Sequence, residues 1–304
     1  MLFELAYPGL CAAAILRHLT RRPRPVAPLF AFRAVRGRMR RRELALLTAL
    51  HPRLGAVLAL RRFEQASPEP ATGPVAACFN NGLAERRFGP EQGARVLLLH
   101  GWTADSAMML PLAKALADQG VRVIVPDLPG EGANPRRVLG FAAKARILAA
   151  YYRNEGVEVV LGHSAGALIA AQAVESGLRP SRMVTICAPF SMATLLQAYL
   201  SRIGAPDALH QATLDLYGKR EKRAATEIGP SRYARFGSDL LVVHARRDWQ
   251  VRLAEADAIG RVNPAAKRVT LDNCNHHTIL NDRRLFEAVA GFLGEADYGG
   301  RARC

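Results

Sequence analysis

From residue 75 onward the chain alternates short apolar runs with longer stretches of helical period. Ala94 to Gly101, Val121 to Asp127, Val157 to Leu161, Met183 to Ala188, Asp239 to His244 and Arg268 to Leu271 read as strands. Most are continuously apolar, which is the pattern of strands buried on both faces. Between or after them, Asp105 to Gln119, Val138 to Asn154, the run after Ser164, Leu253 to Ile259 and Asp282 to Leu293 read as helices. Strands alternating with helices predict an α/β domain with a mainly parallel sheet covered on both sides.

Two regions depart from this alternation. Between Ala188 and Asp239 lie helical stretches, Ser191 to Ile203 and Asp207 to Arg223, too long for a simple crossover. They predict a helical cap over the mouth of the sheet. The other region is residues 1–74. Its Leu10 to Leu16 run is shorter than the roughly 20 residues a bilayer span needs and lacks the preceding basic residues of a signal peptide. Glu43 to Phe63 reads as a helix kinked at Pro52, with Leu47, Leu50, Leu54, Val57 and Leu58 near one face. Ser67 to Pro74 is a turn-rich linker. The predicted organisation is thus a basic extension and linker (1–74), a core (75–190 and 239–296), a cap (191–238) and a flexible tail (297–304).

Half of the 304 residues are apolar, enough for a substantial core. The net charge of +16 suggests nucleic acid until it is located. Thirteen arginines and one acid, Glu43, lie between Arg17 and Arg62, so the basic character belongs to the extension. No aromatic interleaving or recognised module accompanies these arginines, and a nucleic-acid partner is not expected. An apolar helix face beside arginines has the composition of an arm that rests on an anionic membrane. A solvated arm whose helix packs on the domain has the same composition, and both readings stand. Five scattered cysteines (Cys11, Cys78, Cys187, Cys274, Cys304) offer no disulfide or zinc spacing. They point to a reducing compartment, so the expected location is cytoplasmic, with or without peripheral membrane contact.

The candidate chemistry centres on Gly162-His163-Ser164-Ala165-Gly166, between a predicted strand and an alanine-rich helix. Gly-x-Ser-x-Gly in that setting is a nucleophile elbow, where the flanking glycines allow a turn too tight for side chains. A serine hydroxyl needs a base, and the base needs an orienting group. Asp248 follows one predicted strand and Asn275-His276-His277 follows the last, so both fall on the sheet edge that carries Ser164. Either histidine fits the spacing. Asp127 reads as the residue that orders its Gly/Pro loop, His100 and His163 as loop supports, and Cys187 as core.

Together these pieces resemble the α/β-hydrolase fold family over about residues 75–294. The matching motifs are His100-Gly101-Trp102, Pro126-Asp127-Leu128-Pro129-Gly130-Glu131-Gly132, the elbow, His244-Ala245-Arg246-Arg247-Asp248 and Asn275-His276-His277. The resemblance is to serine esterases and lipases with a helical cap. It implies Ser164 as nucleophile, Asp248 as acid, His276 (alternatively His277) as base, and the amides of Trp102 and Ala165 as oxyanion hole. It implies a small-molecule acyl substrate and no metal or organic cofactor. A thioesterase, acyltransferase or peptidase would use the same triad. A non-catalytic binding protein acting through its basic arm is the reading from another class.

Overall fold

The computed structural model describes residues 41–65, 78–80, 82–134 and 137–294. The Leu10–Leu16 run, the arginines up to Arg40, the 67–74 linker and the 297–304 tail lie outside the described residues. In chain order the elements are helices α1 (41–50) and α2 (Pro52–Glu64), then strands β1 (Cys78–Asn80), β2 (Leu83–Phe88) and β3 (Arg95–Leu99). Next come α3 (Leu110–Ala117), β4 (Arg122–Pro126), α4 (Phe141–Tyr152), β5 (Val159–His163), α5 (Ala165–Glu175) and β6 (Arg182–Ile186). The cap region holds α6 (Met192–Arg202), α7 (Asp207–Glu221) and the short α8 (Pro230–Tyr233). The chain then forms β7 (Leu240–Ala245), α9 (Leu253–Val262), β8 (Lys267–Leu271) and α10 (Arg283–Gly294).

The strands make one sheet in the order β1-β2-β4-β3-β5-β6-β7-β8. β1 and β2 pair antiparallel with their neighbours, and every pair from β4 to β8 is parallel. Alternate residues of each strand enter two separate cores. Leu97, Leu99, Val160, Met183 and Val242 face α4, α5 and α9. Val96, Leu98, Leu161, Val184 and Val243 face α3 and α10. This double burial explains why the strands read as unbroken apolar runs. β3 sits between β4 and β5, so successive connections leave it in opposite directions. Their loops part at the carboxyl ends of these strands and leave the crevice in which ligands bind in open α/β sheets.

β1 and β2 escape the apolar-run criterion. β2 carries Glu85, Arg86 and Arg87, of which Glu85 and Arg86 are buried. Their charges are met inside the protein: the Tyr152 hydroxyl donates to Glu85 at 2.6 Å, and Arg86 lies 3.6 Å from Asp127.

The expected single kinked helix over 43–63 is corrected to a helical hairpin. His51 is extended (φ −163°, ψ 121°) and caps α2 by accepting from the Arg53 amide at 3.1 Å. Pro52 stands at the first helical position, where its missing N–H costs nothing. The chain reverses, so Glu43 meets Arg62 at 2.5 Å and Gly55 packs on Thr48. A Cβ at Gly55 would stand 2.2 Å from Thr48 Oγ1, which is why the close crossing needs glycine. The break also resets the helical phase. Leu44, Ala56, Ala59, Leu60 and Phe63 turn inward, while Leu50, Leu54 and Val57, three of the residues read on one apolar face, point to solvent.

The inward side joins the same core as the sheet and the cap. Phe63 stacks on Phe141 (ring centroids 5.2 Å apart) and lies 5.2 Å from Tyr199 of α6. Glu64, buried at the end of α2, pairs with Arg220 of α7. The division at residue 74 therefore separates in sequence what packing joins. Among the described residues no helix is long and apolar enough to cross a membrane. A Phe63→Ala variant is expected to lose about 3–5 kcal/mol of stability, read as a lower urea midpoint, because the ring is fully buried between α4 and α6. A solvated arm would give no change.

Candidate active site

The elbow is built by close approach of backbone. A Cβ at Gly162 would stand 2.4 Å from the Ala167 backbone, and one at Gly166 would stand 2.5 Å from the Leu99 and His100 carbonyl oxygens. Those contacts pin α5 against the ends of β3 and β5. Ser164 absorbs the turn with φ 53° and ψ −126°, a conformation L-residues rarely adopt and which costs about 1–3 kcal/mol. Its amide donates to the Ile186 carbonyl at 2.8 Å, which holds the turn in register with β6. Ala165 opens α5, so its N–H belongs to the first turn, where helical acceptors are missing and the dipole is positive.

The loop after β3 lies against this turn. A Cβ at Gly101 would come within 3.4 Å of Ser164 Cβ, so the backbone leading to Trp102 runs beside the serine. His100 fixes that loop: its Nε2 accepts from the Leu128 amide and its Nδ1–H donates to the Gly101 carbonyl, each at 2.9 Å. Asp127, fully buried, accepts from the amides of Ser106 (2.7 Å) and Ala133 (2.8 Å) and so orders the adjacent Gly/Pro loop. The indole of Trp102 donates to the Phe63 carbonyl at 2.9 Å, and its ring lies 5.0 Å from Phe63 and 5.4 Å from Tyr199.

On the other side of the elbow, Asp248 accepts from His276 Nδ1–H at 2.6 Å. Its second oxygen accepts from the Gln250 and Val251 amides at 2.8 and 2.9 Å. Burial alone would raise the Asp248 carboxyl. The hydrogen bond and charge of His276, the Val251 amide and the Cys187 thiol outweigh it and hold the carboxyl below its ordinary value. Asp248 does not cap α9, whose N-cap is Arg252. His277, the alternative histidine, is exposed, and its Nε2 lies 2.7 Å from the Gln250 side chain. The structure thus brings Asp248 to His276 and leaves His277 outside the pair.

His163 links the two halves. Its Nε2–H donates to the His276 carbonyl at 2.9 Å, and the two rings lie 4.8 Å apart. The residue before Ser164 therefore holds the residue that bears the imidazole. Burial first, and then the charge of His276, push His163 down to about 3.

Two contributions had no signal in the sequence. Cys187, read as core, sits at φ 48° with its thiol within 4.8 Å of the Asp248 carboxylate. Burial, then the Asp248 charge, push that thiol well up and keep it protonated. Phe63 lies far from the motifs in sequence, and only folding brings it to Trp102. Cys187, Asp248 and His276 also present donor atoms within 4.8 Å of one another. Two ligands of one tetrahedral zinc stand about 3.3 Å apart. The 2.6 Å between His276 and Asp248 instead fits a shared proton.

A parallel sheet with a strained serine elbow and an Asp–His pair at the adjoining strand ends defines a hydrolase class. The alpha/beta hydrolase family model matches residues 96–289, and the chain belongs to that family. No curated protein matches the sequence. Among solved structures, the chain is similar to the alpha/beta hydrolase MGS-MChE2 from a lagoon-sediment metagenome (TM-score 0.55, 16% identity, 74% of this chain and 100% of that one). It is also similar to a thermophilic esterase from Thermogutta terrifontis (0.53, 20%, 73% and 97%). A meta-cleavage product hydrolase from Pseudomonas fluorescens is a third (0.53, 18%, 74% and 98%). These identities establish the shared fold.

The lowered His163 makes stability depend on pH with a definite sign. The unfolded chain takes up a proton near pH 6.5 and the folded chain only near 3, so stability is full above 6.5 and falls toward 3. The loss approaches roughly 1.4 kcal/mol per pH unit within that window. Urea midpoints at pH 7 and pH 4.5 are expected to show the decline, and a His163→Gln variant is expected to flatten it.

Proposed function

We propose that the protein is a serine hydrolase that cleaves a carboxylic ester through an acyl-enzyme. The observation that carries this reading is the Asp248–His276 hydrogen bond of 2.6 Å, tied by His163 to the strained Ser164 turn. Ser164 Oγ attacks the carbonyl carbon while His276 Nε2 takes its proton. The ionised Asp248 holds the imidazole with Nδ1–H inward and stabilises the imidazolium. The amides of Ala165 and Trp102 receive the oxyanion, aided by the positive end of α5. Collapse expels the alcohol, which leaves with the proton from His276. Water then attacks the acyl-serine with His276 again as base, and the acid is released.

The aromatic group Trp102, Phe63 and Tyr199 beside the oxyanion loop favours substrates with an apolar substituent. His276 is the base in this reading because it alone of the two adjacent histidines is held by Asp248.

The test is fluorophosphonate labelling together with hydrolysis of p-nitrophenyl esters of increasing chain length. The wild type is expected to be labelled and Ser164→Ala to carry no adduct. Asp248→Asn is expected to lower kcat by about 10⁴-fold and His276→Ala by at least about 10³-fold, while His277→Ala stays within a few-fold of wild type. Folded wild-type protein that takes no label would refute the reading.

A further inference from the structure

The α1–α2 hairpin has two faces, an inner one packed in the core and an outer one exposed to solvent. On the outer face Leu46, Leu50, Leu54 and Val57 are between 51% and 69% exposed. They are four of the eight large apolar side chains exposed among the described residues, gathered on one small element. Arg41, Arg42, Arg53 and Arg61 are exposed on the same hairpin. Its two acids do not offset them, because Glu43 is bound to Arg62 and Glu64 is buried against Arg220. The preceding sequence adds Arg33, Arg36, Arg38 and Arg40.

We propose that this outer face docks the protein on an anionic lipid bilayer. Leucine and valine side chains gain by entering the boundary between headgroups and acyl chains, while the surrounding arginines meet lipid phosphates. The pairing of the two features selects the occupant. A second copy meeting this face through a two-fold axis would set arginines against arginines. A nucleic acid would satisfy the arginines but leave the leucines without a counterpart, and no Phe, Tyr or Trp is exposed on the hairpin to stack on bases.

Packing also fixes where docking occurs. The inner side of α2 is locked into the core by Ala56, Ala59, Leu60 and Phe63, and Phe63 touches Trp102. The docked bilayer therefore lies on the far side of the helix that borders the oxyanion loop.

The experiment is flotation of the full-length protein with vesicles of phosphatidylcholine alone or mixed with phosphatidylglycerol. The wild type is expected to float with the mixed vesicles, less so at high salt, and weakly with phosphatidylcholine alone. Leu50→Glu/Leu54→Glu and Arg41→Glu/Arg53→Glu are each expected to lower the partition by at least about tenfold. Circular dichroism melting checks that both variants fold, and Leu50→Ser/Leu54→Ser replaces the first if it does not. Wild-type protein that stays unbound, or folded variants that float like wild type, would overturn the proposal. So would a dimer in vesicle-free solution that Leu50→Glu/Leu54→Glu dissociates, because the face would then be a contact between copies.

Discussion

The site depends on one constraint: α5 starts so close to the ends of β3 and β5 that nothing larger than hydrogen fits at residues 162 and 166. Gly166 lies where a side chain would overlap the Leu99 and His100 carbonyls, and Gly162 where one would overlap Ala167. With those two contacts closed, the chain between them has no room for an ordinary turn. Ser164 takes the strain at φ 53° and its side chain is carried to the strand end. Strain of this kind persists because the surrounding sheet and helix over-determine it.

Around that turn the loops are tied to one another by buried histidines bonded to backbone. His100 joins the loop after β3 to the loop after β4. His163 joins the elbow to the loop after β8. His244, in β7, donates its Nε2–H to the Val251 carbonyl at 2.9 Å, and burial first of all holds it below its ordinary value. Neutral imidazoles suit this task because each can present a polar atom to the backbone without bringing a charge into the core. Asp248 keeps its charge in the same surroundings because three donors, the His276 ring and the Gln250 and Val251 amides, converge on it.

The N-terminal hairpin changes how the molecule is divided. Its arginines suggest an appendage, yet its inner face contributes Phe63 to the aromatic group beside Trp102 and Glu64 to the pairing with α7. The element that carries the exposed leucines and arginines is thus rigidly joined to the loop next to the serine.

Much was legible in the sequence, for identifiable reasons. The parallel strands are buried on both faces, so β3 to β7 appear as apolar runs, and the elbow is local enough that its glycines sit within two residues of the serine. β2 was not legible, because Glu85 and Arg86 look like surface residues until Tyr152 and Asp127 are brought to them. The break at Pro52 could be read as a kink, but not the reversal that turned Leu50, Leu54 and Val57 outward. Between His276 and His277 the resemblance favours the first, but the two side chains are chemically alike and stand one position apart. Their separation is decided by loops closing from β7 and β8, which bring Asp248 to one imidazole and leave the other in solvent. The sequence by itself determined the parallel strands, the glycine turn around Ser164 and the candidate site residues, because those depend on local pattern. The tertiary structure alone decided which histidine meets the acid and which face of the hairpin is free, because both depend on contacts between segments distant in the chain.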